Sequence, residues 1–340
     1  MIGAPRLRLL IVSSVGGHLR EALELVPALG RSELRFILND RVPVELPGPV
    51  ATIAHAERDL RVAWNLVEVA AILWRWGEPG RRPWRPDVVL STGAGPAVPA
   101  ALVARALGAR VLYVETFAAV ERPSLTGRLM APLARDFFVQ WPALLRHFPA
   151  ARYAGPVFRP PADGPAPPDD GSLLVAVGTS DRPFDRLLRA VDRLYAERTI
   201  GLPGLVQRGP AGYVPVHLPS APLVPAPELE ERIRRARLVI CHAGAGLLGT
   251  CLRHGKRPIV LPRLGSLGEH VDDHQLMLCR ALGEAGLIRP IADASALGPA
   301  IAAALAERDH PAGPSRSLPP GTLHDEIAGI LGEVARERRR

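Results

Sequence analysis

Residues Leu238 to Gln275, LVICHAGAGLLGTCLRHGKRPIVLPRLGSLGEHVDDHQ, decide how the rest of the chain is read. Leu238 to Cys241 is a four-residue apolar run, the length of a buried parallel strand. It passes into His242, Ala243, Gly244, Ala245 and Gly246 and then into a helical segment. Gly244 and Gly246 lack the Cβ atoms that keep a ligand from the backbone, so the N–H groups and positive dipole of the helix start face it, an arrangement suited to a diphosphate. Pro258 to Leu261 is the next strand, ended by Pro262. Gly265 and Gly268 then mark a loop into Glu269, His270, Asp272, Asp273, His274 and Gln275, donors and acceptors suited to hydroxyls. Polar side chains therefore gather past two strand ends, the edge at which an open α/β sheet binds ligands. The acidic and histidine side chains also have metal-ligand chemistry, but a metal site needs three or four converging ligands, and no metal is expected here.

These motifs resemble the GT-B glycosyltransferases of the MurG type, and more closely the two-part enzyme that adds the second N-acetylglucosamine to a dolichol-linked oligosaccharide. In such families HAGAG and a loop ending in D-H-Q belong to the donor half, and GEHVDDHQ is especially similar to the exopolysaccharide and capsule branch. The resemblance covers nearly the whole chain. It implies an α/β fold of two Rossmann-like parallel-sheet domains facing a central cleft. One departure stands out: eight residues after His242, where MurG-type enzymes commonly hold the ribose with a glutamate, this chain has Thr250, which offers one hydroxyl.

With 340 residues the chain has room for two domains. Hydrophobic residues at 47% and aromatics at 5% suit an Ala/Leu/Val-rich α/β protein. The formal net charge of +8 raises nucleic acid as a partner. Lys256 is the sole lysine, however, and no RNA-binding aromatic motif accompanies the arginines, so the basic character is read as coding bias or a face for anionic lipid. Three cysteines without CxxC spacing fit a reducing cytosol. Arg6 and Arg8 precede an apolar run that ends in a Gly-Gly-His turn, which reads as a first strand, Leu7 to Val12, and not as a signal peptide.

After that strand, Ser13-Ser-Val-Gly-Gly-His18 turns into a helix from Leu19 to about Leu29, resembling the S-x-G-G-H opening of the acceptor half. A histidine at a loop tip can take the proton of a sugar hydroxyl; His18 is either this base, a diphosphate contact beside Gly16 and Gly17, or a helix cap. Arg58 to Trp76 is a helix candidate with a narrow polar stripe of Arg58, Arg61, Asn65, Glu68 and Arg75. Trp64, Trp74 and Trp76, with Arg81, Arg82 and Trp84 directly after, form either a membrane-interface segment or a buried helix. It is too short for a bilayer span, which needs about 20 apolar residues.

Asp87 to Leu90 is a strand feeding Thr92, Gly93, Ala94 and Gly95 and a small-residue helix, a second seat for a diphosphate, which the resemblance assigns to the acceptor lipid. Arg110 to Val114 is the next strand, with Glu115 at its end as the rival base or a cap. YVETFAAVERPSLTGRLMAPLARDFFVQWPAL is very similar to the acceptor half of the two-part enzyme. The acceptor domain runs over 1–158, a Pro/Asp/Gly-rich linker over 159–171, the donor domain over 172–312 and a helical segment over 313–340. In the donor half Leu173 to Val177 is a strand leading to Gly178 and Thr179, and Gln207 lies near the exit of another.

The resemblance implies an inverting UDP-sugar-dependent hexosyltransferase. His18 or Glu115 would deprotonate the acceptor, with Arg263 and helix starts stabilising the departing UDP, and with Arg263 a candidate partner for a glucuronate carboxylate. It further implies transfer of glucuronate, galactose or N-acetylglucosamine to a polyprenyl-diphosphate-linked saccharide, in a β-1,4 linkage, at the inner face of the plasma membrane. A UDP-sugar epimerase or hydrolase and a non-catalytic UDP-sugar-binding partner subunit are the alternatives.

Overall fold

The computed structural model describes residues 6–40, 45–53, 61–78, 82–158, 169–270, 273–309 and 321–339. The chain forms two compact units, Met1–Val157 with Gly321–Arg340, and Phe158–Pro320. Most of the expected linker, residues 159–168, lies outside the described residues, as do Arg58, Arg81 and Asp272.

The first unit is built on a parallel seven-stranded sheet: β1 (Arg8–Ser13), β2 (Glu33–Leu38), β3 (Val50–Thr52), β4 (Val88–Ser91), β5 (Arg110–Val114), β6 (Asp136–Val139) and β7 (Arg152–Tyr153), in the order β3-β2-β1-β4-β5-β6-β7. The inner strands are apolar on both faces because helices cover both, as parallel sheets require. Helix α1 (Gly17–Glu24) is shorter than expected. Pro27 has no N–H to continue the α-helical bonding, and Val26–Leu29 form a separate 3₁₀ turn with a proline at its start.

Helix α2 (Arg61–Arg75) and helix α3 (Ala97–Ala106) pack together: Val69, Ile72 and Leu73 meet Ala100 and Ala104 in a core that includes Leu10, Val12 and Trp84. Asn65, expected on a polar stripe, is fully buried instead, since it shares the face of Val69 and Ile72. A short helix, α4 (Leu125–Met130), follows β5 and is N-capped by Ser124, whose Oγ accepts from Gly127 N at 2.8 Å.

The second unit carries a parallel six-stranded sheet: β8 (Leu173–Ala176), β9 (Gly204–Gln207), β10 (Ser220–Ala221), β11 (Leu238–Cys241), β12 (Ile259–Val260) and β13 (Arg289–Pro290), in the order β10-β9-β8-β11-β12-β13. Its helices are α5 (Asp185–Ala196), α6 (Ala226–Arg235), α7 (Ala245–Arg253), α8 (His274–Glu284) and α9 (Leu297–Asp309). Leu187, Leu188 and Val191 of α5 enter the core against β8 and β11.

The last helix, α10 (Leu323–Glu337), returns to the first unit. It buries Leu323, Ile327, Ile330 and Val334, sets His324 Nε2 3.0 Å from the Glu24 carbonyl, and pairs Glu326 with Arg152 and Glu333 with Arg110, each at 3.1 Å. Both sheets reverse winding direction beside their first strand, between β1 and β4 and between β8 and β11. Those switch points, at the carboxyl ends of the strands, are where a doubly wound sheet binds ligands.

Candidate active site

In the second unit the switch point brings together the loops after β8 and β11. Gly178 has φ +83°, a left-handed value that favours glycine, and a Cβ there would lie 2.7 Å from His242 Cε1. The ring of His242 thus lies directly on the backbone of the first loop. Ala243 is buried, and Gly244 caps α7 with no side chain of its own to satisfy the helix's first N–H groups, leaving an anion-receptive helix start. Loss of water and the charge of Arg263 push the His242 pKa down to about 3, so the ring is neutral at physiological pH. Thr179 is exposed on the same loop. Gln207 is buried and donates from Nε2 to the Gly178 carbonyl at 3.1 Å, bracing the loop from beneath.

Several residues expected to touch the donor face inward. Arg263 is only 1% exposed: Nη1 donates to the carbonyls of Arg182 at 2.8 Å and Glu269 at 3.1 Å, and Nη2 to that of Val177 at 2.8 Å. Its guanidinium ties three loops together over the Phe184 ring and is not presented to a leaving group or a sugar carboxylate. Glu269 is likewise internal, held by Arg186 at 2.9 Å and by Leu264 N at 3.0 Å. Thr250 is buried, and its hydroxyl donates to the Gly246 carbonyl one turn back at 2.9 Å, so it does not replace the ribose-binding glutamate. The Gln275 amide oxygen accepts from Arg263 N at 3.0 Å. His270 and His274 stack edge to face with centroids 4.5 Å apart. Among the described residues no group of three or more His, Cys, Asp or Glu side chains is arranged to hold a metal.

The first unit repeats the arrangement with the loops exchanged. His18 comes from the loop after β1, and its Nδ1 lies 2.9 Å from the Thr92 carbonyl oxygen. A carbonyl only accepts, so Nδ1 carries the proton and Nε2 holds the lone pair, the tautomer a base needs. Thr92 Oγ1 donates back to the His18 carbonyl at 2.7 Å, locking the two loops reciprocally. Thr92 is fully buried and acts through that brace, not as a ligand contact. Gly93 has φ +124°, and a Cβ there would lie 3.0 Å from His18 Cε1. Gly16 and Gly17 are exposed, Ala94 and Gly95 half-buried, around this histidine.

Glu115 departs from its expected role as rival base. It is fully buried, with Oε1 accepting from Thr116 N at 2.9 Å and Ser124 Oγ at 2.8 Å, and burial raises its pKa. Its carboxyl anchors the start of α4 to the end of β5, and Gly127 leaves the room it occupies. Sequence reading missed Glu21 and Gln140, both buried beneath this loop.

The tryptophans divide. Trp64 and Trp74 are 68% and 55% exposed on α2, with Val67 between them at 56%. Trp84 is core: its Nε1 donates to Glu33 at 3.1 Å, and Trp76 packs edge to face on it, with Arg35 over both rings. Arg82 is exposed, 3.7 Å from Glu78. Among the described residues no helix is long and apolar enough to cross a membrane.

Residues 61–157 match the family described as oligosaccharide biosynthesis protein Alg14 like, and residues 173–317 match the glycosyltransferase family 28 C-terminal domain. The UDP-N-acetylglucosamine transferase subunit ALG14 of Rattus norvegicus is 30% identical over 177 residues, spanning 44% of this chain and 82% of that protein. The UDP-N-acetylglucosamine–N-acetylmuramyl-(pentapeptide) pyrophosphoryl-undecaprenol N-acetylglucosamine transferase of Syntrophotalea carbinolica is 30% identical over 223 residues, spanning 60% of this chain and 59% of that protein. The crystal structure of Acinetobacter baumannii MurG superposes with a TM-score of 0.58 at 18% identity, covering 97% of this chain and all of that one. Two parallel-sheet units with helix starts and histidines at their switch points define a glycosyltransferase of GT-B fold. The chain belongs to the Alg14-like family through its N-terminal part, joined in one polypeptide to a stretch that matches the glycosyltransferase family 28 C-terminal domain.

Proposed function

We propose that this protein transfers a sugar from a UDP-sugar to a saccharide carried on a polyprenyl diphosphate, with inversion, in bacterial exopolysaccharide or capsule synthesis. The observation that carries the reading is the His18–Thr92 clamp, which presents a histidine in the base tautomer beside exposed glycines and the start of α3. In a single displacement His18 Nε2 takes the proton of the acceptor hydroxyl while its oxygen bonds to the anomeric carbon. The bond from that carbon to the UDP oxygen breaks, and UDP leaves on the Gly178 and His242–Gly246 loops, where backbone dipoles meet its charge. No metal enters this scheme. Glucuronate, galactose and N-acetylglucosamine are the candidate sugars, and a β-1,4 linkage is the candidate product. The exposed face of Trp64, Val67 and Trp74 supports peripheral attachment at the cytoplasmic side of the plasma membrane.

The test is transfer of radiolabelled sugar from each of the three UDP-sugars into acceptor lipids held in anionic vesicles. His18→Asn should lower the rate by about 10²–10⁴-fold, the range of a lost general base, while Glu115→Gln should stay within roughly tenfold of wild type. Full activity in His18→Asn would remove the base from this scheme.

A further inference from the structure

Beneath the His18 loop lies a buried carboxyl that the transfer scheme does not use. Glu21 sits one turn beyond His18 on α1 and is fully buried. Its Oε2 accepts from Phe117 N at 2.9 Å and from Gln140 Nε2 at 2.7 Å, and its Oε1 lies 2.8 Å from Thr116 Oγ1. Gln140 in turn accepts from Val157 N at 2.7 Å through its own Oε1 and donates to the Glu115 carbonyl at 2.9 Å. One side chain thus joins the histidine-bearing helix to the turn after β5 and the end of β6.

The three hydrogen bonds, two N–H groups on one oxygen and the Thr116 hydroxyl donating to the other, favour a carboxylate, but full burial opposes the charge more strongly. A proton on Oε1 keeps a partner in Thr116 Oγ1, because a hydroxyl can also accept. The titratable groups near it are Glu115 and Tyr113 of the β5 end and, on α1 itself, His18 one turn earlier. Glu115 is itself a buried carboxyl, and two such groups do not ionise together cheaply.

We propose that Glu21 is a positioning residue of the acceptor-side site, which as a neutral carboxylic acid clamps the Glu115–Phe117 turn and Gln140 to the helix carrying His18, and whose ionisation loosens that clamp. The proposal rests on the reading of His18 as the base. Burial, the dominant effect, moves the Glu21 pKa up to about 8, which places the loosening at mildly alkaline pH.

The sign follows from proton binding. Between the unfolded value of 4.5 and the folded value of about 8, the folded chain holds a proton that the unfolded chain has lost. Wild-type stability from this group is therefore complete below the lower value, drains across the window, and is level above it. Glu21→Gln reproduces the neutral acid: its carbonyl accepts the two N–H groups, and its amide donates to Thr116 Oγ1.

The experiment compares wild type, Glu21→Gln and Glu21→Ala by thermal unfolding from pH 5 to 9, and by ¹⁵N NMR of the His18 ring, assigned with His18→Asn. The melting temperature of Glu21→Gln should rise relative to wild type by several degrees between pH 5 and 8 and then hold constant. The wild-type His18 ring should show a second inflection near pH 8 that Glu21→Gln lacks. Glu21→Ala should melt well below Glu21→Gln at pH 6. Parallel melting curves for wild type and Glu21→Gln, with superimposable His18 titrations, would overturn the proposal, as would equal melting of Glu21→Ala and Glu21→Gln at pH 6. None of these readouts requires transfer, so loss of the base reading would show only in the transfer rates of His18→Asn.

Discussion

In the N-terminal unit the histidine at the switch point comes from the loop after the first strand, His18, and leans on Gly93 of the loop after β4. In the C-terminal unit it comes from the loop after β11, His242, and leans on Gly178 of the first loop. The two sheets share one strand order over six strands, yet the rings meet different surroundings. His18 is steered by a carbonyl that leaves Nε2 basic, whereas His242, half-buried and facing the cation of Arg263, stays uncharged. A basic nitrogen suits a hydroxyl that must lose a proton. A neutral ring packed on a glycine loop suits a surface that receives a ready-made anion. Similar topology thus gives each unit its own loop cluster, in which the loop that supplies the ring decides what the ring meets.

Exchanging the glycines should break that comparison most sharply. Gly178→Ala places a methyl group against His242 at a left-handed backbone position that costs an L-residue about 1–2 kcal/mol, so UDP affinity by titration calorimetry should fall by roughly tenfold or more. Gly93→Ala, which crowds His18 instead, should leave UDP affinity within about twofold and depress transfer. Equal losses of UDP binding in both variants would mean that the units are not specialised as described.

A smaller effect separates the two histidines by pH. Since the folded His242 value of about 3 lies below the ordinary 6.5, the unfolded chain binds a proton in that window and the folded chain does not. Stability is complete above pH 6.5 and drains as pH falls toward 3. Near pH 4.5, His242→Gln should recover on the order of 1–3 kcal/mol relative to its effect at pH 7.5, read as a narrowing gap in denaturant unfolding. A gap that does not change with pH would show that His242 titrates normally.

Strands and glycine loops were legible because apolar runs of four to six residues ending in Gly-rich turns admit few other readings; β5, Arg110–Val114, falls where the sequence places it. The direction of charged side chains was not legible. Arg263 and Glu269 stand at a strand end that reads as a ligand edge, yet Arg263 finds its carbonyl partners at Val177 and Arg182, more than 80 residues earlier in the chain. Glu115 resembles a base in sequence and is an anchor in space, because Ser124 and the glycine at 127 make a buried seat for it. Glu21 and Gln140 gave no local signal at all: a glutamate inside a helix normally faces water, and its partners lie about a hundred residues away. On α2 the polar stripe misplaced Asn65, which is inside, whereas the exposed Trp64 and Trp74 fit the interface reading of the two that the sequence left open.

The division of labour between the units is tested most directly by hydrogen–deuterium exchange of the full chain with and without UDP. Protection confined to the loops at 177–181, 207–210 and 242–248, with residues 14–20 and 91–97 unchanged, is the predicted result. Protection centred on the His18 and Thr92 loops would place the nucleotide in the wrong unit and contradict the account.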